Sequence, residues 1–397
     1  MNFYQKLGLP RVINARSYST KVGGSLMSPV VIRAMREAAE SFVRIEDLQE
    51  AAGRVIAEIT GAEAGYVTSG AAAGLTLGMA ACMAGLDPLK MNRLPDTEGM
   101  KNEVIIQRAH RNDYDHALRA AGAKVVEVGF NYATFAYELE KAISERTAAV
   151  FFLAGTTEGN LPLKQVIEIA HARGVPVIMD AAAELPPAEN LRKFIAAGVD
   201  LVVFSGGKHI GGPQASGILC GRQDLILSVA LQHQDMDVFP ETWPWRQLIS
   251  NQTVAGPPHH GIGRGLKVGK EEIAGLITAL KAYPHRDFEA ELQVWQQRVE
   301  TLVAGLGGVP GLSARHVFPL PSGRPVPTAH VHVDPAKAGL DAHGLINALQ
   351  EGEPLVCTYE TLASQGIVVF FPESLRDGEP EEIVQRIRTI IGKKHGV

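Results

Sequence analysis

The chain has 397 residues, more than a single hydrophobic core usually serves, so a large domain with a smaller companion is expected. Hydrophobic residues make up 46% and charged residues 20%, a globular balance that excludes disorder, and a net charge of -5 without a long basic run gives a nucleic-acid surface no support. Cys82, Cys220 and Cys357 are widely spaced with no CxxC pair, which argues against a disulfide framework or structural zinc, and no stretch of about 18 apolar residues or apolar signal core is present, so a cytoplasmic protein is expected.

In chain order, LMSPVVIRAMREAAESF and IEDLQEAAGRVIAEITG predict two helices, the second stopped by Gly61. From Ala64 to about Leu219, short β-rich runs alternate with amphipathic stretches, the pattern of a mainly parallel sheet covered by helices. Strands are predicted over 64–68, 103–107, 124–128, 148–153, 175–179, 200–204 and 216–220. Among the intervening helices, LPLKQVIEIAHARG has Pro162 near its start and Gly174 just past its end. Residues 232–265 are rich in Pro, Gly, His and aromatics and too long for a simple connector, so a functional or interface role is expected. EEIAGLITALKAY and DFEAELQVWQQRVETLVAGL then predict helices, and HVHVDP, LDAHGLINALQ, GIVVFF and EEIVQRIRTIIGKK an α+β tail. The expected division is an N-terminal segment (1–45) packing near the active site and small domain, a large domain (46–265) built on a seven-stranded sheet, and a smaller C-terminal domain (266–397).

Four features fall at the C-terminal ends of predicted strands, where open α/β sheets bind ligands. Ser69, Gly70 and Ala71 open a run of small residues between a strand and a helix, where free N–H groups and the helix dipole suit a phosphate; a tight turn into a well-packed helix would use the same residues. Asp180 directly follows the apolar strand VPVIM, and a carboxylate there can hold a pyridinium nitrogen protonated or simply cap a helix; Glu184 is a weaker substitute. Lys208 sits in Ser205-Gly206-Gly207-Lys208-His209-Ile210-Gly211-Gly212, where paired glycines on both sides would leave room above and below a lysine bonded to a flat cofactor. In Arg108-Ala109-His110-Arg111-Asn112-Asp113-Tyr114, His110 is preferred over Tyr114 as a ring to stack on that cofactor.

Other motifs carry less. RGLKVGKE (264–271) misses a P-loop at both its first Gly and its Ser/Thr. His330 and His332 share a strand face but have no third ligand nearby, and His259 and His260 suit an interface or a substrate better than a metal, so no metal is expected.

With the order anion turn, ring, Asp, Lys established, the chain resembles fold-type I pyridoxal-phosphate enzymes, and more narrowly the selenocysteine-synthase-like branch that includes D-glucosaminate-6-phosphate ammonia-lyase. The resemblance rests on INARSYSTKVGGSLMSPVVIRAM, TGAEAGYVTSGAAAGL, EVIIQRAHRNDYDHALRAAGAKVVEVG, VIMDAAAELPP, FSGGKHIGGPQASGIL and GIGRGLKVGKEEIAGL, nearly the whole chain. It implies pyridoxal 5′-phosphate carried by Lys208, Asp180 at the pyridine nitrogen, and Ser69, Gly70 and Ala71 at the phosphate, with Ser205 and Arg264 among the cofactor-binding residues. Arg16-Ser17 replaces the small residues the branch usually has after Asn14-Ala15, which points to a different substrate.

The expected activity is a lyase that takes the Cα proton and a β-substituent from a small amino acid or amino-sugar acid, giving a 2-oxo acid and ammonia, with Lys208 as base. A racemase needs the same proton abstraction. A transferase acting on aminoacyl-tRNA would need a basic groove, and a non-catalytic cofactor-binding regulator would bind without turnover. Arg16, Lys21, Arg111, Arg264 and Lys267 are candidates for an acidic substrate or a neighbouring subunit's phosphate. A homodimer or higher homo-oligomer is expected, with residues 232–270, including Trp243, Trp245, His259 and His260, completing the site of a second chain.

Overall fold

The computed structural model describes residues 2–155 and 158–394. It divides into two compact units, one formed by residues 1–26 and 286–397 and the other by 27–285.

After a first strand, β1 (Val12–Ala15), which belongs to the smaller unit, the chain builds the larger one. Helices α1 (Pro29–Ala39) and α2 (Ile45–Thr60) lead into β2 (Ala64–Thr68) and α3 (Ala71–Ala84). The strands β3 (Glu103–Gln107), β4 (Lys124–Val128), β5 (Thr147–Leu153), β6 (Val177–Asp180), β7 (Leu201–Ser205) and β8 (Gly217–Gly221) follow, with α4 (Leu163–His171) between β5 and β6. Helices α5 (Gln223–His233) and α6 (Lys270–Ala282) complete the unit. The strand order is β2-β8-β7-β6-β5-β3-β4, and all strands run one way except β8, which is antiparallel to both neighbours. Helices cover both faces, so the central strands are buried throughout and read as continuous apolar runs. α3 is buried nearly all round, as its Ala- and Gly-rich sequence with no charged residue requires.

The smaller unit holds an antiparallel sheet of β9 (Leu312–Val317), β10 (Thr328–Val333) and β12 (Ile367–Phe370), with β10 central, and a parallel pair of β1 with β11 (Leu355–Thr358). Helices α7 (Phe288–Gly305), α8 (Ala342–Gln350) and α9 (Glu379–Lys394) supply Val299, Leu302, Ile346 and Ile387 to its core.

The seven strands fall within two residues of the expected positions. The division lies elsewhere, at 26/27 and 285/286 instead of 45/46 and 265/266. The cause is α6. It packs on α1, where a Cβ at Gly275 would come within 2.8 Å of Met35, and on the loop after β7, where Leu276 lies against Gly206 and Gly212.

At the N-terminal edge of the large sheet, Asp200 holds three elements together. Its buried carboxylate accepts from the Val177 N–H at 2.8 Å, His171 Nε2 at 2.7 Å and Arg222 Nη1 at 3.3 Å. Asp200→Ala leaves the buried Val177 N–H without that acceptor and should cost about 3 kcal/mol of stability, read by urea unfolding, with activity per folded molecule unchanged because the candidate site residues Asp180 and Lys208 lie at the opposite edge. A loss below about 0.5 kcal/mol, the scale of ordinary surface changes, would contradict this account.

Candidate active site

Because β8 is the single reversed strand, its first residue lies at the same edge as the last residues of β2 and β7. Gly217 stands opposite Thr68 on one side and opposite Ser205 on the other. The turn after β2 and the loop after β7 therefore start two strand spacings apart, roughly 10 Å. Gly217 is sterically fixed: a Cβ there would meet the Gly70 carbonyl carbon at 2.6 Å and the Ala71 nitrogen at 2.9 Å.

Ser69, Gly70 and Ala71 form that first turn. Gly70 has φ +127°, a conformation side chains rarely adopt, and no side chain caps the start of α3. Its first N–H groups point to the edge in the manner that receives anions. Thr68 Oγ1 fixes the turn by donating to the Gly70 carbonyl at 2.9 Å.

Lys208 stands half-buried in the loop after β7. The Gly212 N–H donates to the Gly206 carbonyl, the Gly206 N–H to the Ser216 carbonyl and the Gly211 N–H to the Lys208 carbonyl, each at 2.9 Å. Gly211, with φ +80° and nothing within 4 Å of a Cβ there, is open as expected, but Gly206 and Gly207 serve close packing. A Cβ at Gly206 would come within 2.2 Å of Ser216 Oγ, and one at Gly207 within 2.6 Å of the Gln214 Cα, so these two let the loop close on itself. Ser205 ends β7 directly before them.

Asp180 ends β6, the strand beside β7, opposite Val203. Its carboxylate is buried and accepts from the Ala182 N–H at 2.9 Å. Burial raises its pKa, while the Ala182 amide and the positive charge of Lys208 pull it back down.

His110 is placed differently from the stacking ring expected. It is fully buried, edge-on to Phe152 with centroids 4.5 Å apart, and it offers no open face. The Leu153 N–H donates to its Nδ1 at 3.3 Å, so the ring proton sits on Nε2, a buried atom without a partner among the described residues. Burial pushes its pKa down to about 4. Tyr114 is exposed, and Arg111 is held by Asp115 and Glu127.

The long segment folds on its own chain. Trp243 is buried in the large core with Trp245 packed against it, and the His259 N–H donates to Asn92. Arg264 and His260 both bind Asp235, Lys267 is exposed, and Lys270 Nζ donates to the Ala38 and Ser41 carbonyls. In the smaller unit, Arg16 and Lys21 share Glu360, at 2.7 and 3.2 Å. There too, His330 is buried and His332 exposed on β10.

Sequence patterns gave no sign of a second set of polar residues. Tyr66 O–H meets His233 Nδ1 at 2.9 Å, His233 Nε2 meets the Leu266 carbonyl at 3.0 Å, and Ser69 Oγ donates to the same carbonyl at 2.8 Å. Tyr66 and His233 are 167 positions apart, beyond any local motif.

An amine, a buried carboxylate and an uncapped helix start thus share one edge. This donor set fits a flat, anionic, carbonyl-bearing cofactor with a basic ring nitrogen: Lys208 for the carbonyl carbon, Asp180 for the ring nitrogen and residues 69–71 for the anion.

Residues 14–236 match the family described as SelA: L-seryl-tRNA selenium transferase. The chain is 34% identical to a 5′-C-glycyluridine monooxygenase-decarboxylase from a Streptomyces species, covering 98% of this chain and 92% of that protein. It is 33% identical to the D-glucosaminate-6-phosphate ammonia lyase of Salmonella typhimurium, covering 98% of each. A solved D-glucosaminate-6-phosphate ammonia-lyase structure superposes with a TM-score of 0.82 at 31% identity, covering 100% of this chain and 99% of that one. A serine palmitoyltransferase from S. paucimobilis, solved with a bound pyridoxal-phosphate adduct, shares the fold at a TM-score of 0.57 and 15% identity, covering 97% and 88%.

Gly217→Ala should push Gly70 and Ala71 out of place. The expected result is a folded protein by circular dichroism that loses pyridoxal phosphate on dialysis; normal retention would mean that the 69–71 turn does not hold the cofactor.

Proposed function

Because the chain belongs to the SelA family of pyridoxal-phosphate enzymes, we propose that it is an ammonia-lyase converting a small amino acid or amino-sugar acid into a 2-oxo acid. One observation carries the reading: Lys208, Asp180 and the 69–71 turn share a sheet edge in a chain aligned end to end with an ammonia lyase. Pyridoxal phosphate, when bound, supplies an electron sink for the pair left behind when a Cα–H bond breaks. Lys208 takes that proton and passes it to the departing β-hydroxyl, which leaves as water. The C–N bond is then hydrolysed, releasing ammonia and consuming one water, so the conversion is redox-neutral. Asp180 remains ionised and holds a proton on the ring nitrogen, and the N–H groups at the start of α3 hold the phosphate.

The substrate is acidic in this reading. The working unit is a homo-oligomer, which sedimentation at assay concentration reads directly. Its compartment is the cytoplasm, which suits the free thiols of Cys82, Cys220 and Cys357. No helix of the described residues is long and apolar enough to cross a membrane.

The holoenzyme, screened against β-hydroxy amino acids and amino-sugar acids, should release 2-oxo acid and ammonia in equal amounts without consuming oxygen. Lys208→Ala should abolish turnover, and Asp180→Asn should keep the cofactor while slowing Cα proton exchange at least a hundredfold, the usual scale for a lost acid-base or electrostatic group. Oxygen uptake with release of carbon dioxide would place the chain instead with the monooxygenase-decarboxylase, and Cα exchange without 2-oxo acid would make it a racemase.

A further inference from the structure

The Leu266 carbonyl accepts from His233 Nε2 at 3.0 Å and from Ser69 Oγ at 2.8 Å. A carbonyl has two lone pairs, so these donors fill its capacity. They also fix the tautomer of His233: the carbonyl can only accept, so Nε2 carries the proton, and Nδ1 accepts from the Tyr66 O–H at 2.9 Å. His233 is buried, as is Tyr66, and burial lowers the histidine's pKa. The arm that bears Leu266 lies on α5 through glycines. A Cβ at Gly261 would come within 2.7 Å of the Gln232 Cα, and one at Gly263 within 3.0 Å of the His233 Cα.

Ser69 cannot donate to a phosphate while its only hydroxyl proton is given to Leu266. If that proton turns away, the carbonyl needs the other donor, because an acceptor left unpaired in a part-buried position is costly. We propose that His233 is a positioning residue for the anion turn: by keeping the Leu266 carbonyl satisfied it frees the Ser69 hydroxyl to turn to the cofactor's phosphate. Tyr66 orients the imidazole for this task. The inference rests on the reading that residues 69–71 take the phosphate.

The test is equilibrium titration of the apoprotein with pyridoxal 5′-phosphate and, separately, with pyridoxal, which lacks the phosphate. His233→Phe should bind the phosphorylated form about tenfold more weakly, the scale of one hydrogen bond, and pyridoxal as before. His233→Gln, whose amide can donate where Nε2 does, should recover most of the loss. Ser69→Ala should show the same selective loss, and adding His233→Phe to it should weaken binding no further. Equal weakening for both ligands, or a full His233 effect in the Ser69→Ala background, overturns the proposal while leaving the anion turn intact. If Ser69→Ala does not change the preference for the phosphorylated form, the reading of the turn fails and the proposal with it. Should His233→Phe not fold, His233→Asn replaces it: its shorter amide reaches only the Nδ1 position, so it should weaken binding where His233→Gln does not, and equal affinities would overturn the proposal.

Discussion

A carboxylate at the end of a buried central strand is tolerated only if something offsets its lost hydration, and at Asp180 the offset comes from the Ala182 amide and the charge of Lys208. Asp180 ends β6 and Lys208 stands in the loop after the neighbouring β7, so adjacent strands bring both to one edge. The lysine gains a counter-charge nearby, and the acid is held buried, where its charge is weakly screened. The remaining site residues are arranged around this pair.

The reversed strand β8 fixes the third participant. Interposed between β2 and β7, it sets the anion turn two strands from the lysine loop, and Gly217 is the one residue small enough to let the turn close over it. Stability and chemistry are segregated on the sheet. Asp200, with Val177, His171 and Arg222, ties the N-terminal edge, while the amine, the carboxylate and the uncapped helix start lie at the C-terminal edge.

The strands of the large sheet were legible because all but the edge strand β4 are largely buried and read as short apolar runs between turn residues, and Asp180 and Lys208 because a charged residue at the end of such a run has few structural reasons to be there. What sequence could not give was three-dimensional company. The reversal of β8 leaves no mark in its composition. α6 resembles the start of a second domain, yet its Gly275 and Leu276 pack on α1 and on the lysine loop. The glycines around Lys208 signal close approach, but whether to a cofactor or to their own loop depends on Ser216 and Gln214. His110 looked like a ring beside a cofactor because it follows a strand, and only its contact with Phe152 shows that it is buried. His233 carried no signal because its partners, Tyr66 and Leu266, are remote in the chain.

The central claim is that Lys208 holds the cofactor at this edge. Borohydride reduction of the pyridoxal-phosphate-loaded protein, followed by digestion and peptide mass analysis, fixes the cofactor to whichever amine bears it. The account predicts a single labelled peptide containing Lys208, with no label in the Lys208→Ala protein. A label on Lys267 or Lys270 would contradict it.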